Sequence, residues 1–178
     1  TDKFNILSTT RQPTQLAKNQ RNVHKLDITD KENISNVLES FKPDIIINCA
    51  AYTNVDGSEI NKDLAHRVNV EGLRNLIQLS DINTYLIQIS SDYVFDGDSG
   101  PYSEDEPTFP VNYYGKTKLE AENILRGTRR KWVIFRPNVL YSDDLFSKAN
   151  FFAWIYKSLI KEQGISVVTD QISNPTYI

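Results

Sequence analysis

The 178-residue sequence holds a single cysteine, Cys49, which excludes an internal disulfide and a cysteine-built zinc cluster. It holds two histidines, His24 and His66, with no partner at ligand spacing, so both read as ordinary surface or core side chains. Basic residues are not in surplus: 20 Lys and Arg stand against 23 Asp and Glu, a net charge of -3. A nucleic-acid partner is therefore not expected. No apolar run here is long enough to cross a bilayer, and no membrane partner is expected. Residues Thr1 to Thr10 lack the basic start and apolar core of a secretory leader, so the expected setting is reducing and cytoplasmic. Seven glycines occur, and nowhere do they form a Gly-x-x-Gly-x-x-Gly turn.

What is present reads as one soluble α/β domain over 1–178, long enough to bury a core. Short apolar runs alternate with helical repeats. "FNILST" (Phe4–Thr9) and "NVHKLDIT" (Asn22–Thr29) read as strands, the second closing on Asp27. "DKENISNVLESF" spaces Ile34, Val37, Leu38 and Phe41 as a helix, capped by Asp30 or Thr29 and stopped by Pro43. "DIIINCAA" is a continuous apolar run, the pattern of a strand buried on both faces, with Cys49 in the core. A long helix over Asn61–Asp81, a strand "TYLIQISS", a helix "NYYGKTKLEAENILRG" ended by Gly127, and a strand "KWVIFRP" follow. A helix "ANFFAWIYKSLIKEQG" and a last strand "ISVVTD" complete the pattern. Such alternation predicts a doubly wound parallel sheet, with ligands beyond the carboxyl ends of its strands. Small or polar residues stand at five of those ends: Thr9–Arg11, Asp27–Ile28, Ala50–Thr53, Ser90–Asp92 and Arg136–Asn138.

One stretch joins these ends to chemistry. Tyr114 and Lys118 lie four apart on one predicted helix, so they share a face. A nearby ammonium favours a phenolate, and the spacing predicts that Lys118 draws the Tyr114 phenol down toward working pH. A hydroxyl from the preceding strand end, Ser91 or Ser90, is placed to bind a carbonyl. Acid, tuner and orienting hydroxyl are the parts needed to protonate an oxygen while hydride reaches its carbon.

The segments "SSDYVFDG", "PYSEDEPTFPVNYYGKTKLEAE", "NCAAYTNVDGSE", "VNVEG" and "VVTDQISNPTY" resemble, in consistent order, the extended short-chain dehydrogenase/reductase family and, within it, the dTDP-4-dehydrorhamnose reductase group. The resemblance implies an NAD(P)-binding Rossmann-like fold and NADPH-dependent reduction of a 4-keto nucleotide sugar, dTDP-4-dehydrorhamnose to dTDP-rhamnose, in cell-surface polysaccharide precursor synthesis. It implies Tyr114 as proton donor, Lys118 on the nicotinamide ribose, and Ser91, rather than Ser90, on the carbonyl. It places Ala50, Ala51 and Tyr52 along the cofactor, Asp27 and Ile28 at the adenine, Asn69 behind the cofactor strand, and Tyr93 and Asn138 on the substrate side. Arg11, in a "STTR" loop without an acid, suits a ribose 2'-phosphate, so NADP is expected over NAD. The resemblance leaves room for a homodimer. Its dimers are linked with magnesium, but no spacing here forms an octahedral set, and no metal ligand is assigned.

Two alternatives belong beside this reading. An epimerase or dehydratase of the same superfamily is kept open by Asp92 next to Ser91. A non-catalytic, dinucleotide-binding regulatory subunit is kept open by the missing glycine turn. The family starts with a strand and that turn, and it continues into a sugar-binding lobe. Here "FNILSTTR" aligns with the second strand, so these residues fit a part of a longer protein. Without a central strand, two unpaired edges and a split core are expected.

Overall fold

The computed structural model describes residues 3–12, 23–142, 151–167, 169–170 and 172–178. Asn22, Ala149, Asn150 and Val168, which the sequence places in elements, lie outside them, as does Gln171 of the last motif. The chain divides into two compact units, Thr1–Phe135 and Arg136–Ile178.

In the first unit, β1 (Ser8–Thr10) pairs in parallel with β2 (Val23–Lys25). Helix α1 (Lys31–Phe41) follows, capped by the Asp30 carboxylate, which accepts from Asn33 N at 3.0 Å. It ends at Lys42 in the left-handed region, φ 49°, one residue before Pro43. Strand β3 (Ile45–Asn48), helix α2 (Val55–Ile60) and helix α3 (Lys62–His66) come next. A π turn (Arg67–Glu71) leads into α4 (Gly72–Leu79). Strand β4 (Tyr85–Ile89), a 3-10 turn (Asp92–Val94), helix α5 (Tyr113–Arg126) and strand β5 (Trp132–Phe135) close the unit. β3, β4 and β5 form one parallel sheet in that order, with Ile46 opposite Leu86 and Ile87 opposite Val133.

Around β4 the core closes. Leu73, Leu86, Ala121 and Leu125 are buried together, and Ile46, Ile77, Trp132 and Ile134 pack on them. A second cluster, Ile28, Ile34 and Leu76 with Leu26, Leu38, Ile46 and Leu79, joins β2, α1 and α4. Between β1 and β3 the packing stops. No ladder joins the two sheets among the described residues, and a cavity of about 110 Å³ opens there, lined by Leu7, Thr9, Leu38 and Ile45–Ile47 among others. This is the expected split, and it corrects the reading of "DIIINCAA": Ile45 is 50% and Ile47 59% exposed, because they share a sheet face left largely uncovered among the described residues, while Ile46 packs on the other face. Cys49, just past the last paired residue, is exposed rather than in the core.

In the second unit, β6 (Leu140–Tyr141) pairs in parallel with β7 (Thr176–Tyr177), and α6 (Phe151–Ile160) lies between them in sequence. The described residues of "ISVVTD" form no ladder; the strand is Thr176–Tyr177, whose pairing partner "LY" is too short for a pattern to show. Among the described residues no helix is long and apolar enough to cross a membrane.

Candidate active site

The site grows from the carboxyl end of β4 and the first turn of α5. Ser90 N donates to Phe135 O at 2.6 Å, so the strand stays paired to its end. Ser91 then caps the 3-10 turn: its Oγ accepts from Tyr93 N at 3.2 Å and donates to Asp92 Oδ1 at 3.0 Å. Helix α5 starts where Asn112 Oδ1 accepts from Gly115 N at 2.7 Å. Gly115 lets the helix lie flush on the turn. A Cβ there would sit 2.1 Å from the Tyr93 carbonyl oxygen. This close approach sets the Tyr114 ring edge-on to Tyr93, 5.7 Å between centroids.

Tyr114 and Lys118 are both sealed in, 8% and 3% exposed. Burial pushes the Tyr114 phenol up from its ordinary value; the Ser91 hydroxyl beside it pulls down, and Asp92 and Tyr93 add an upward push. The sequence reading had Lys118 drawing this phenol down. In the structure the net direction is up, because desolvation dominates and the ammonium is turned to a backbone carbonyl: Lys118 Nζ donates to Ile89 O at 2.7 Å. Burial also takes Lys118 down to about 8, against the upward pull of Glu122 and Cys49. The Ile89 carbonyl accepts from Gln88 Nε2 as well, and Gln88 Oε1 accepts from Asn48 Nδ2. A buried polar chain thus runs beneath the strand ends. Beside it, Ser90 Oγ is buried without a partner among the described residues. Asp92 is raised, chiefly by burial.

The residues expected along a cofactor are held by Asn48, which the sequence did not single out, and by Asn69, which it did. Asn48 Oδ1 accepts from Ala50 N at 3.2 Å. Asn69, in the π turn, accepts from Tyr52 N at 2.7 Å and donates to Thr117 Oγ1 at 2.8 Å. The widened turn thereby ties the Ala50–Ala51–Tyr52 segment to α5; π turns inside helices recur at functional sites. At the end of β2, the Asp27 carboxylate accepts from Thr29 N and Thr29 Oγ1 at 2.9 and 2.7 Å. Burial pushes Asp27 up, but these bonds and the charges of Arg11 and Arg67 hold it below the usual carboxylate range. Arg67 was missed because nothing in sequence pairs it with Asp27. Ile28 is buried, its carbonyl accepting from Asn75 Nδ2 at 3.1 Å. Ser91, Tyr93, Tyr114 and Lys118 therefore meet in one place, and Arg11 and Asp27 in another. Asn138 belongs to the second unit, where its carbonyl accepts from Thr176 N and its side-chain oxygen is buried without a partner among the described residues.

A dTDP-4-dehydrorhamnose reductase of Aggregatibacter actinomycetemcomitans is 39% identical over 156 residues, 86% of this chain and 52% of the relative. The crystal structure of a dTDP-4-dehydrorhamnose reductase from Bacillus anthracis in complex with NADP superposes with a TM-score of 0.79 at 35% identity, over 92% of this chain and 61% of that one. The beta subunit of methionine adenosyltransferase 2 from Xenopus laevis is 39% identical over 119 residues, 66% of this chain and 36% of the relative. The chain spans about half the length of the curated dTDP-4-dehydrorhamnose reductases given by these comparisons. The fold is that of the Rossmann-like reductases. The RmlD substrate binding domain family matches residues 3–178, nearly the whole sequence, and the chain belongs to that family.

Proposed function

We propose that the protein carrying this chain reduces the 4-keto group of a nucleotide sugar with NADPH, converting dTDP-4-dehydrorhamnose to dTDP-rhamnose for cell-surface polysaccharide synthesis. The observation that carries the reading is the buried Tyr114 phenol, with the Ser91 hydroxyl in reach and Lys118 one helical turn away.

The residues present suit a nicotinamide dinucleotide at both ends. Lys118 uses one N–H on Ile89 O, so its remaining donors are available to ribose hydroxyls, and the buried Ser90 Oγ still wants a partner. The small, exposed Ala50 allows close approach beside them. At the far end Arg11 and Arg67 gather near Asp27, a set able to hold an adenosine ribose and its 2'-phosphate. NADPH, when bound, supplies the hydride.

Ser91 turns its hydroxyl from Asp92 to the sugar carbonyl and polarises it. Tyr114, kept protonated by its burial, donates the phenolic proton to the oxygen as negative charge develops there. Lys118, positive at neutral pH, compensates the phenolate left behind. Carbon gains hydride, oxygen gains a proton, and the tyrosine recovers its proton from solvent. The wild-type full-length protein should oxidise NADPH only when given the 4-keto-6-deoxy sugar nucleotide; no oxidation with that substrate refutes the reading.

One observation favours a second reading. Asp92 is raised and 3.0 Å from Ser91 Oγ, as an acid for dehydration would need. A dehydratase would release an unsaturated or rearranged sugar without net consumption of NADPH, so the product distinguishes the two.

A further inference from the structure

Helix α5 carries a fully buried carboxylate that the proposed chemistry does not use. Tyr114, Lys118, Glu122 and Arg126 follow one another at spacing four, so they form a single stripe along the helix. Phenol, ammonium, carboxylate and guanidinium alternate along it. Glu122 is 0% exposed, whereas Glu120, two residues earlier, lies at the surface beside His66 at 3.3 Å. On its outer side, Glu122 Oε2 meets Arg126 Nη2 at 3.0 Å. A fully buried carboxylate needs compensation, and its inner neighbour on the stripe is Lys118.

We propose that Glu122 is a positioning residue for Lys118: its sealed carboxylate, anchored by Arg126, holds the ammonium charged and aimed past the Ile89 carbonyl toward the site. Other groups around Lys118 do not replace it. Just past β3 the Cys49 thiol lies near it, and β4 offers the neutral Ile89 carbonyl. Asp92 and Tyr93 of the 3-10 turn act on Tyr114. The His66–Glu120 pair from α3 and α5 is solvated, and Glu59 of α2 is committed to Tyr113 N at 2.6 Å. Glu122 heads the upward influences on Lys118, opposing the burial that lowers it. The inference rests on the proposed function only for its consequence, a lysine kept cationic while Tyr114 gives up its proton.

The test reads Lys118 itself. In full-length protein carrying ¹³C-labelled lysine, the Lys118 signal is assigned by its loss in Lys118→Met, and its titration is followed by NMR. Glu122→Gln should lower the midpoint by about one pH unit, and Glu122→Asp should return part of that loss. An unmoved midpoint in Glu122→Gln overturns the proposal. If Glu122→Gln gives no folded protein, the double variant with Lys118→Met decides. A carboxylate present to face Lys118 becomes dispensable once the ammonium is gone, so folding should recover; continued failure overturns the proposal. Turnover is not the readout. A midpoint that moves in a protein without reductase activity defeats the proposed function alone, and an active reductase with an unmoved midpoint defeats this inference alone.

Discussion

The corner where β4 meets α5 and the gap between β1 and β3 belong to one unit but are finished to different degrees. At the corner, apolar side chains interlock around Leu73 and Leu86, and buried polar groups form a chain from Asn48 to Lys118. At the gap, Ile45 and Ile47 face an open cavity, and β1 and β3 present backbone edges without a ladder between them. The proposed chemistry falls on the finished side. Proton transfer needs groups held to fractions of an ångström, which closed packing supplies, whereas an open edge leaves backbone groups to water.

This contrast can be broken at several points. The largest effect is expected at the corner. Tyr114→Phe in the full-length protein should lower kcat by about 10²- to 10⁴-fold, the usual range for one general acid, with its thermal unfolding unchanged. Turnover within a factor of two of wild type would detach the phenol from the chemistry. Next comes the seam between helix and turn. Gly115→Ala puts a methyl 2.1 Å from a backbone oxygen, so it should cost about 1–3 kcal/mol in urea unfolding and raise KM as Tyr114 shifts. A neutral result would mean that turn and helix separate easily.

The gap yields smaller, local effects. In the 178-residue chain by itself, amides of β4 and α5 should exchange slowest with deuterium and those of Ser8–Thr10 fastest. Uniform protection would erase the comparison. Smallest is a pH effect from Lys118. Its folded value, about 8, lies below the ordinary 10.5, so between those pH values the unfolded chain binds more protons. Stability of the cofactor-free protein should therefore rise with pH across that window, and Lys118→Met should flatten the rise in denaturant titrations at stepped pH.

Local signals made much of this readable. Helix α5 was visible because a helical pattern runs up to a stop residue, Gly127, and that fixed Tyr114 and Lys118 on one face. α1 was visible for the same reason, with Asp30 as its cap. The exposure of Ile45 was not, because cover over a sheet face comes from other elements and not from the strand's own residues. The π turn was hidden inside an unbroken helical pattern, yet it aims Asn69 at Tyr52. The direction of the Tyr114 shift was misread because spacing reports the nearness of a charge but not desolvation, nor the carbonyl that captures the ammonium. Glu122 and Glu120 look alike as letters; only the packed helix separates the sealed one from the solvated one.

The account depends on hydride reaching a sugar carbon while Tyr114 protonates its oxygen. Incubating the full-length protein with dTDP-4-dehydrorhamnose and NADPH deuterated at the transferable position of C4 tests this directly. Deuterium at C4 of the rhamnosyl product, lost in Tyr114→Phe, is the expected result. Product without deuterium at C4, or deuterated product formed equally well by the phenylalanine variant, would contradict it.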